Sequence, residues 1–125
     1  MKPRRALIVI GHGSREAAAN ELLAQVAERV RLRRPGDSVE HAYMEIASPT
    51  LAEAVGACRA RGAEEILVLP YLLAPGRHGA QTIPDQVREV SLRHPDLEFK
   101  IAAPLGDHEK LVDVLLERAD ALDGA

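Results

Sequence analysis

The chain is expected to fold as an α/β domain, with a four-stranded parallel sheet in the order 2-1-3-4 and helices on both faces. Three observations carry that expectation. Short continuous apolar runs alternate four times with longer segments of helical periodicity. Repeated strand–helix units force parallel strands joined by right-handed crossovers, which lay helices on both faces of the sheet. At 125 residues, 46% of them hydrophobic, the chain suits one domain over residues 1–125 with a two- or three-layer core.

Each element has its own signal. ALIVI (6–10) is a short apolar run of the kind that is buried on both faces of a parallel sheet. Residues 15–34 read as a helix with Leu22, Val26 and Val30 on one stripe, stopped by Pro35-Gly36. SVEHAYME (38–45) is a strand of mixed polarity, which suits a place near the sheet edge. Ser48-Pro49 offers an N-cap with proline at the first helical position. The helix that follows would bury Leu51, Val55 and Cys58, with Gly62 as its C-cap.

EILVLPYLL (65–73) is the strongest strand. GRHGAQTIP (76–84) reads as a loop, with a helix from near Pro84 that carries Val87 and Val90 and stops before Pro95. EFKIAAPL (98–105) is the fourth strand. Residues 107–122 form the last helix, with Asp107 as N-cap and Leu111, Leu115 and Ala119 along its face.

Composition excludes several functions. Tyr43, Tyr71 and Phe99 are the only aromatics, too few for a nucleic-acid module that stacks bases on exposed rings. Net charge is −3, and the one basic cluster, Arg31, Arg33 and Arg34, falls at a helix end where cations complement exposed carbonyls. A single cysteine, Cys58, cannot form an internal disulfide; it fits a reducing compartment and a place in the core. The apolar run of MKPRRALIVIGHG is too short for a signal sequence or a membrane span, so the expected location is the cytoplasm.

Ligands of open parallel sheets bind beyond the carboxyl ends of the strands, near the point where strand order reverses. The four loops on that edge are GHGSR, EIASPT, APGRHGAQTI and PLGDH. His12 and His78 lie in the loops flanking the switch between the first and third strands, and Glu45 ends the second strand on the same edge. Two imidazoles and a carboxylate suit a borderline divalent metal such as Fe, Co, Ni or Zn, and leave coordination positions open for exchange. Glycines 11, 13, 76 and 79 keep the backbone small around both histidines, so a bulky substrate could come close. His41, in mid-strand, and His94, before Pro95, read as structural. His108 lies on the functional rim, where it either touches substrate or is merely exposed.

Two other readings of these loops are weaker. GHGSRE runs glycines into a helix start, as anion sites do, but lacks the GxGxxG and Walker A patterns. Arg77-His78-Gly79 looks like the triplet of histidine phosphatases, which there follows the first strand rather than the third.

Taken in order, GHGSR, YMEIASPTL, LPYLLAPGRH and PLGDH resemble the small CbiX/SirB-type sirohydrochlorin chelatases through nearly the whole chain. The resemblance implies a chelatase-like domain equivalent to half of a two-domain chelatase. It implies a lyase that inserts cobalt or iron, or nickel in related forms, into a sirohydrochlorin-type tetrapyrrole for cobalamin or siroheme synthesis. The divalent metal (Co²⁺, Fe²⁺ or Ni²⁺) is then a substrate, and no organic cofactor is involved. The short forms work as homodimers with the active site in a cleft between domains.

Carried over by motif, the metal-binding histidines are His12 and His78, and the active-site glutamate is Glu45, which would accept a proton or steer the ion. Arg15 and Arg77 are the rim cations suited to the substrate's carboxylates, with His108 as a further contact. One position departs from the pattern. Thr82 stands where relatives often place an acid four residues after the loop histidine. The alternative reading is a metal carrier or tetrapyrrole-binding protein that keeps the site without turnover.

Overall fold

The computed structural model describes residues 4–74 and 76–123, and the side chains of all of these except 77–80. Its elements alternate as β1 (Arg5–Gly11), α1 (Ala17–Arg33), β2 (Ser38–Tyr43), α2 (Leu51–Ala60), β3 (Glu65–Pro70), α3 (Gly76–Arg93), β4 (Glu98–Ile101) and α4 (Glu109–Asp123). The sheet is parallel throughout, in the order β2-β1-β3-β4, as expected. Register aligns Gly11 with Tyr43, Ile10 with Pro70 and Val68 with Ile101, so all four carboxyl ends share one edge.

β1 is the central strand, and its side chains feed two cores in turn. Ala6, Ile8 and Ile10 join Ile66 and Val68 beneath Val55 and Cys58 of α2 and Ile83, Val87 and Val90 of α3. Leu7 and Val9 face the other way, packing with Val39, Tyr43 and the α1 residues Leu23 and Ala27. Each large aliphatic side chain fully withdrawn here, such as Ile8 or Val55, contributes roughly 1.5–3 kcal/mol of hydrophobic stabilisation. Cys58 is fully buried, and burial first, then the charge of Glu40, pushes its thiol up to about 11. It is a core residue, as the apolar stripe implied. No helix among the described residues is long and apolar enough to cross a membrane.

Several local expectations are corrected. The buried stripe of α1 runs through Leu23 and Ala27, while Leu22 is exposed; of two adjacent leucines the packing selects the second. The N-cap of α2 is Thr50, not Ser48. Its hydroxyl accepts from the Glu53 amide at 3.2 Å, and Glu53 accepts from the Thr50 amide at 2.9 Å, a reciprocal capping box. The Ser48-Pro49 peptide is cis and lies ahead of the helix. Gly62 follows α2 with a φ of +90°, as a C-terminal glycine should. The segment expected as a loop before Pro84 is the opening of α3, which begins at Gly76 and contains Pro84. His108, not Asp107, caps α4, its Nδ1 accepting from the Lys110 amide at 3.0 Å. The apolar face of α4 is not buried: among the described residues this helix buries no side chain.

Candidate active site

The loop after β1 is pressed against the loop after β2. The Met44 amide donates to the Gly11 carbonyl at 2.8 Å, and the Glu45 amide donates to the His12 carbonyl at 3.1 Å. These two bonds carry the parallel pairing past the ends of β1 and β2, so Glu45 lies two residues beyond its strand rather than at its end. They also place His12 and Glu45 side by side. The ring Nε2 of His12 lies 2.8 Å from Oε1 of Glu45, and both side chains are more than half exposed.

Gly13 makes this approach possible. Its φ is +98°, and a Cβ there would sit 1.9 Å from the Glu45 carbonyl oxygen, so any side chain would drive the loops apart. Beside it, Ile46 has a φ of +71°, uncommon for a β-branched residue, and the Ala47 amide closes the turn on the Glu45 carbonyl at 2.7 Å. Strain of this kind clusters at functional sites.

Three further residues hold the frame, and none was singled out in the sequence. Asn20 of α1 grips Ser14 twice, its Oδ1 accepting from the Ser14 amide at 3.0 Å and its Nδ2 donating to the Ser14 carbonyl at 2.7 Å. Tyr43 donates its hydroxyl to the Asn20 carbonyl at 2.5 Å. Burial, with the charge of Glu21, raises the Tyr43 phenol above its ordinary 10.0 and keeps it a donor. Gln86 of α3 donates to the Met44 carbonyl at 2.9 Å, tying the third helix to the Glu45 loop. An asparagine in the first turn after a glycine loop was the available signal for Asn20. Nothing in the sequence marks Gln86.

The remaining expected residues separate clearly. Arg15 is exposed on the His12 loop. His108 is exposed on the same rim, where its Nδ1 is occupied in capping α4. The side chains of Arg77 and His78 lie outside the described residues; their backbone forms the first turn of α3, after β3. Thr82 is half-buried, one helical turn beyond position 78. Among the described residues no three His, Cys, Asp or Glu side chains converge, so His12 and Glu45 stand as a pair. His41 packs edge-on against Tyr43, its ring centroid 5.6 Å away, and His94 meets Arg59 at 2.7 Å; both are structural.

The hollow beside the pair is shallow. A cavity of about 220 Å³ is lined by His12, Gly13, Ser14, Leu22 and Tyr71, below the ~300 Å³ at which pockets usually begin to enclose a ligand. A larger hollow, about 620 Å³, lies at the opposite edge of the sheet. Two of its arginines are already paired, Arg5 with Asp37 at 3.1 Å and Arg61 with Glu40 at 2.8 Å.

Fold and pair together define a doubly wound α/β domain whose open carboxyl rim presents an imidazole and a carboxylate at hydrogen-bond distance. The CbiX family profile matches residues 6–122, and the chain belongs to the CbiX family. A sirohydrochlorin cobaltochelatase of Sulfolobus acidocaldarius is 34% identical over 114 residues, which cover 91% of this chain and 89% of that one. The chloroplastic sirohydrochlorin ferrochelatase of Arabidopsis thaliana is 33% identical over 112 residues, 90% of this chain but 50% of its own. Among solved structures, the sirohydrochlorin chelatase SirB from Bacillus subtilis subspecies spizizenii in complex with cobalt superposes with a TM-score of 0.85 at 27% identity, covering 94% of this chain and 50% of that one. The chain thus spans about half the length of some of the relatives it matches and nearly all of others.

Proposed function

We propose that this protein inserts a divalent metal, cobalt or iron, into sirohydrochlorin. The observation that carries the proposal is the His12–Glu45 pair at 2.8 Å on the open rim of a CbiX-family fold. Relatives named as sirohydrochlorin cobaltochelatase and ferrochelatase support the substrate class.

Insertion exchanges two pyrrole N–H protons for one metal ion, so the site must present the ion and remove protons. His12 offers the Nε2 lone pair to the incoming metal once its ring proton has moved to Nδ1, and the metal takes the place of the hydrogen bond to Glu45. The freed Glu45 carboxylate then steers the ion or accepts a pyrrole proton. Its exposed position lets that proton pass on to water. His78, on the first turn of α3, is the second imidazole of the proposal. Arg15 and Arg77 pair with carboxylates of the macrocycle, and His108 contacts its edge.

A hollow of about 220 Å³ is too small to enclose a tetrapyrrole, which supports a shared cleft between two copies of the chain. The test is to mix the purified protein with sirohydrochlorin and either Co²⁺ or Fe²⁺ and follow the absorbance change. Many turnovers per protein are expected. A spectral shift that stops at one equivalent would identify a carrier instead, the reading that Thr82 would favour.

A further inference from the structure

Glu45 and Ile46, which follow β2, belong to neither core. Met44 before them is buried on the α2–α3 side of the sheet, and Ala47 after them packs on the α1 side. The chain changes sides through one tight turn centred on Ile46, in which the Ala47 amide donates to the Glu45 carbonyl at 2.7 Å. A bond back across two residues, around a φ of +71°, makes this a γ-turn of the rare and strained hand.

Such a conformation suits glycine or asparagine, yet position 46 holds a β-branched residue. Packing does not account for it, since Ile46 is 60% exposed and part of neither core. Nor can the turn relax. The Glu45 carbonyl is held by the Ala47 amide and backed by Gly13, where even a Cβ would stand 1.9 Å away. The Glu45 amide is fixed to the His12 carbonyl at 3.1 Å. A costly backbone that neither turn chemistry nor the core calls for points to what its side chain offers a ligand. Branching at Cβ leaves that side chain few rotamers. The rim therefore carries a stiff apolar knob one residue from the Glu45 carboxylate.

We propose that Ile46 is a preformed apolar contact for the face of the macrocycle. A tetrapyrrole carries its carboxylates at the edge of the ring, and its two faces are largely carbon. Consecutive Cα atoms are about 3.8 Å apart, so a pose that brings a pyrrole N–H to Glu45 brings the ring face within reach of Ile46. Because the turn is fixed before substrate arrives, the contact forms without ordering a loop, and little of its strength is lost to entropy. The proposal rests on the insertion reading above and adds to it an apolar contact beside the charged ones.

The test is an absorbance titration with sirohydrochlorin, free of metal, on the parent, Ile46→Gly and Ile46→Val. Covering the exposed 60% of an isoleucine should make Ile46→Gly bind about tenfold more weakly, with Ile46→Val within about fourfold of the parent. Co²⁺ affinity without sirohydrochlorin should be equal in all three, because His12 and Glu45 are untouched. The urea midpoint of Ile46→Gly should stay at or above the parent's, since relief of the turn offsets the lost packing and the freedom of glycine in the unfolded chain. A residue that only shaped the loop would shift Co²⁺ affinity or lower the midpoint, and either result overturns the contact. Sirohydrochlorin bound by Ile46→Gly as tightly as by the parent overturns it as well. So does a change in subunit number by light scattering, which would place Ile46 between copies of the chain. The two levels separate in the parent: binding without turnover discards insertion while the titration still decides the contact, whereas no binding discards both.

Discussion

Replacing Gly13 by alanine tests the geometry of the site through a single methyl group. The added Cβ would stand 1.9 Å from the Glu45 carbonyl oxygen, where ~3 Å is the practical limit of approach. The two loops must therefore part by about 1 Å, or the backbone at residue 13 must leave its φ of +98°, which an L-residue tolerates poorly. Forcing that conformation costs about 1–3 kcal/mol, and the overlap adds about 1–3 kcal/mol more. Parting the loops also stretches the 2.8 Å His12–Glu45 contact, and a misplacement near 1 Å can lower a rate by about 10²-fold. Urea unfolding followed by circular dichroism should show a loss of about 2–6 kcal/mol, and metal insertion should slow by about 10²-fold. Gly56→Ala is the control: nothing lies within 4 Å of its Cβ, and inside α2 alanine should stabilise by about 0.5–1 kcal/mol. A Gly13→Ala protein as stable and active as the parent would refute the close approach on which the site depends.

The frame around the pair gives further tests. Asn20→Ala removes both bonds to Ser14 and should cost about 1–3 kcal/mol while lowering insertion, since Asn20 positions the His12 loop; unaltered insertion would remove it from that role. Thr50→Ala breaks the capping box of α2 and should cost about 1 kcal/mol in urea unfolding; an unchanged unfolding midpoint would refute the cap. Cys58 should resist alkylation until the protein unfolds. Its folded thiol, raised from 9.0 to about 11, stabilises the fold fully below pH ~9, and that contribution is lost as pH rises through about 11. It is worth up to roughly 3 kcal/mol, so a stability that stays flat from pH 9 to 11 would contradict its burial.

Much of the sheet was legible because its signals are local. Continuous apolar runs mark buried parallel strands, and the strand–helix alternation leaves few topologies to choose among. The pairing of His12 with Glu45 was legible for the same reason, since strand order alone carries both residues to one rim. Adjacent apolar residues hid the register of α1: Leu22 and Leu23 both fit a helical period, and only packing against Leu7 and Val9 decides between them. The start of α3 was hidden because its first turn holds two glycines and no cap signal, so the sequence there looks like a loop. At α2 two capping patterns competed within three residues. Thr50 with Glu53 won over Ser48 because a reciprocal pair satisfies two amides rather than one. The uncovered face of α4 could not be read at all, since its leucines have the pattern of a helix packed on its own sheet.

The central claim is that His12 and Glu45 divide the work of metal insertion between metal binding and proton removal. Co²⁺ binding and Co²⁺ insertion, measured on the same preparations of His12→Ala and Glu45→Gln, test it most directly. His12→Ala should lose both binding and insertion while circular dichroism stays native. Glu45→Gln should still bind the ion yet insert it about 10²–10⁴-fold more slowly, the usual contribution of a positioned proton acceptor. Insertion at the parent rate by either variant would contradict the account.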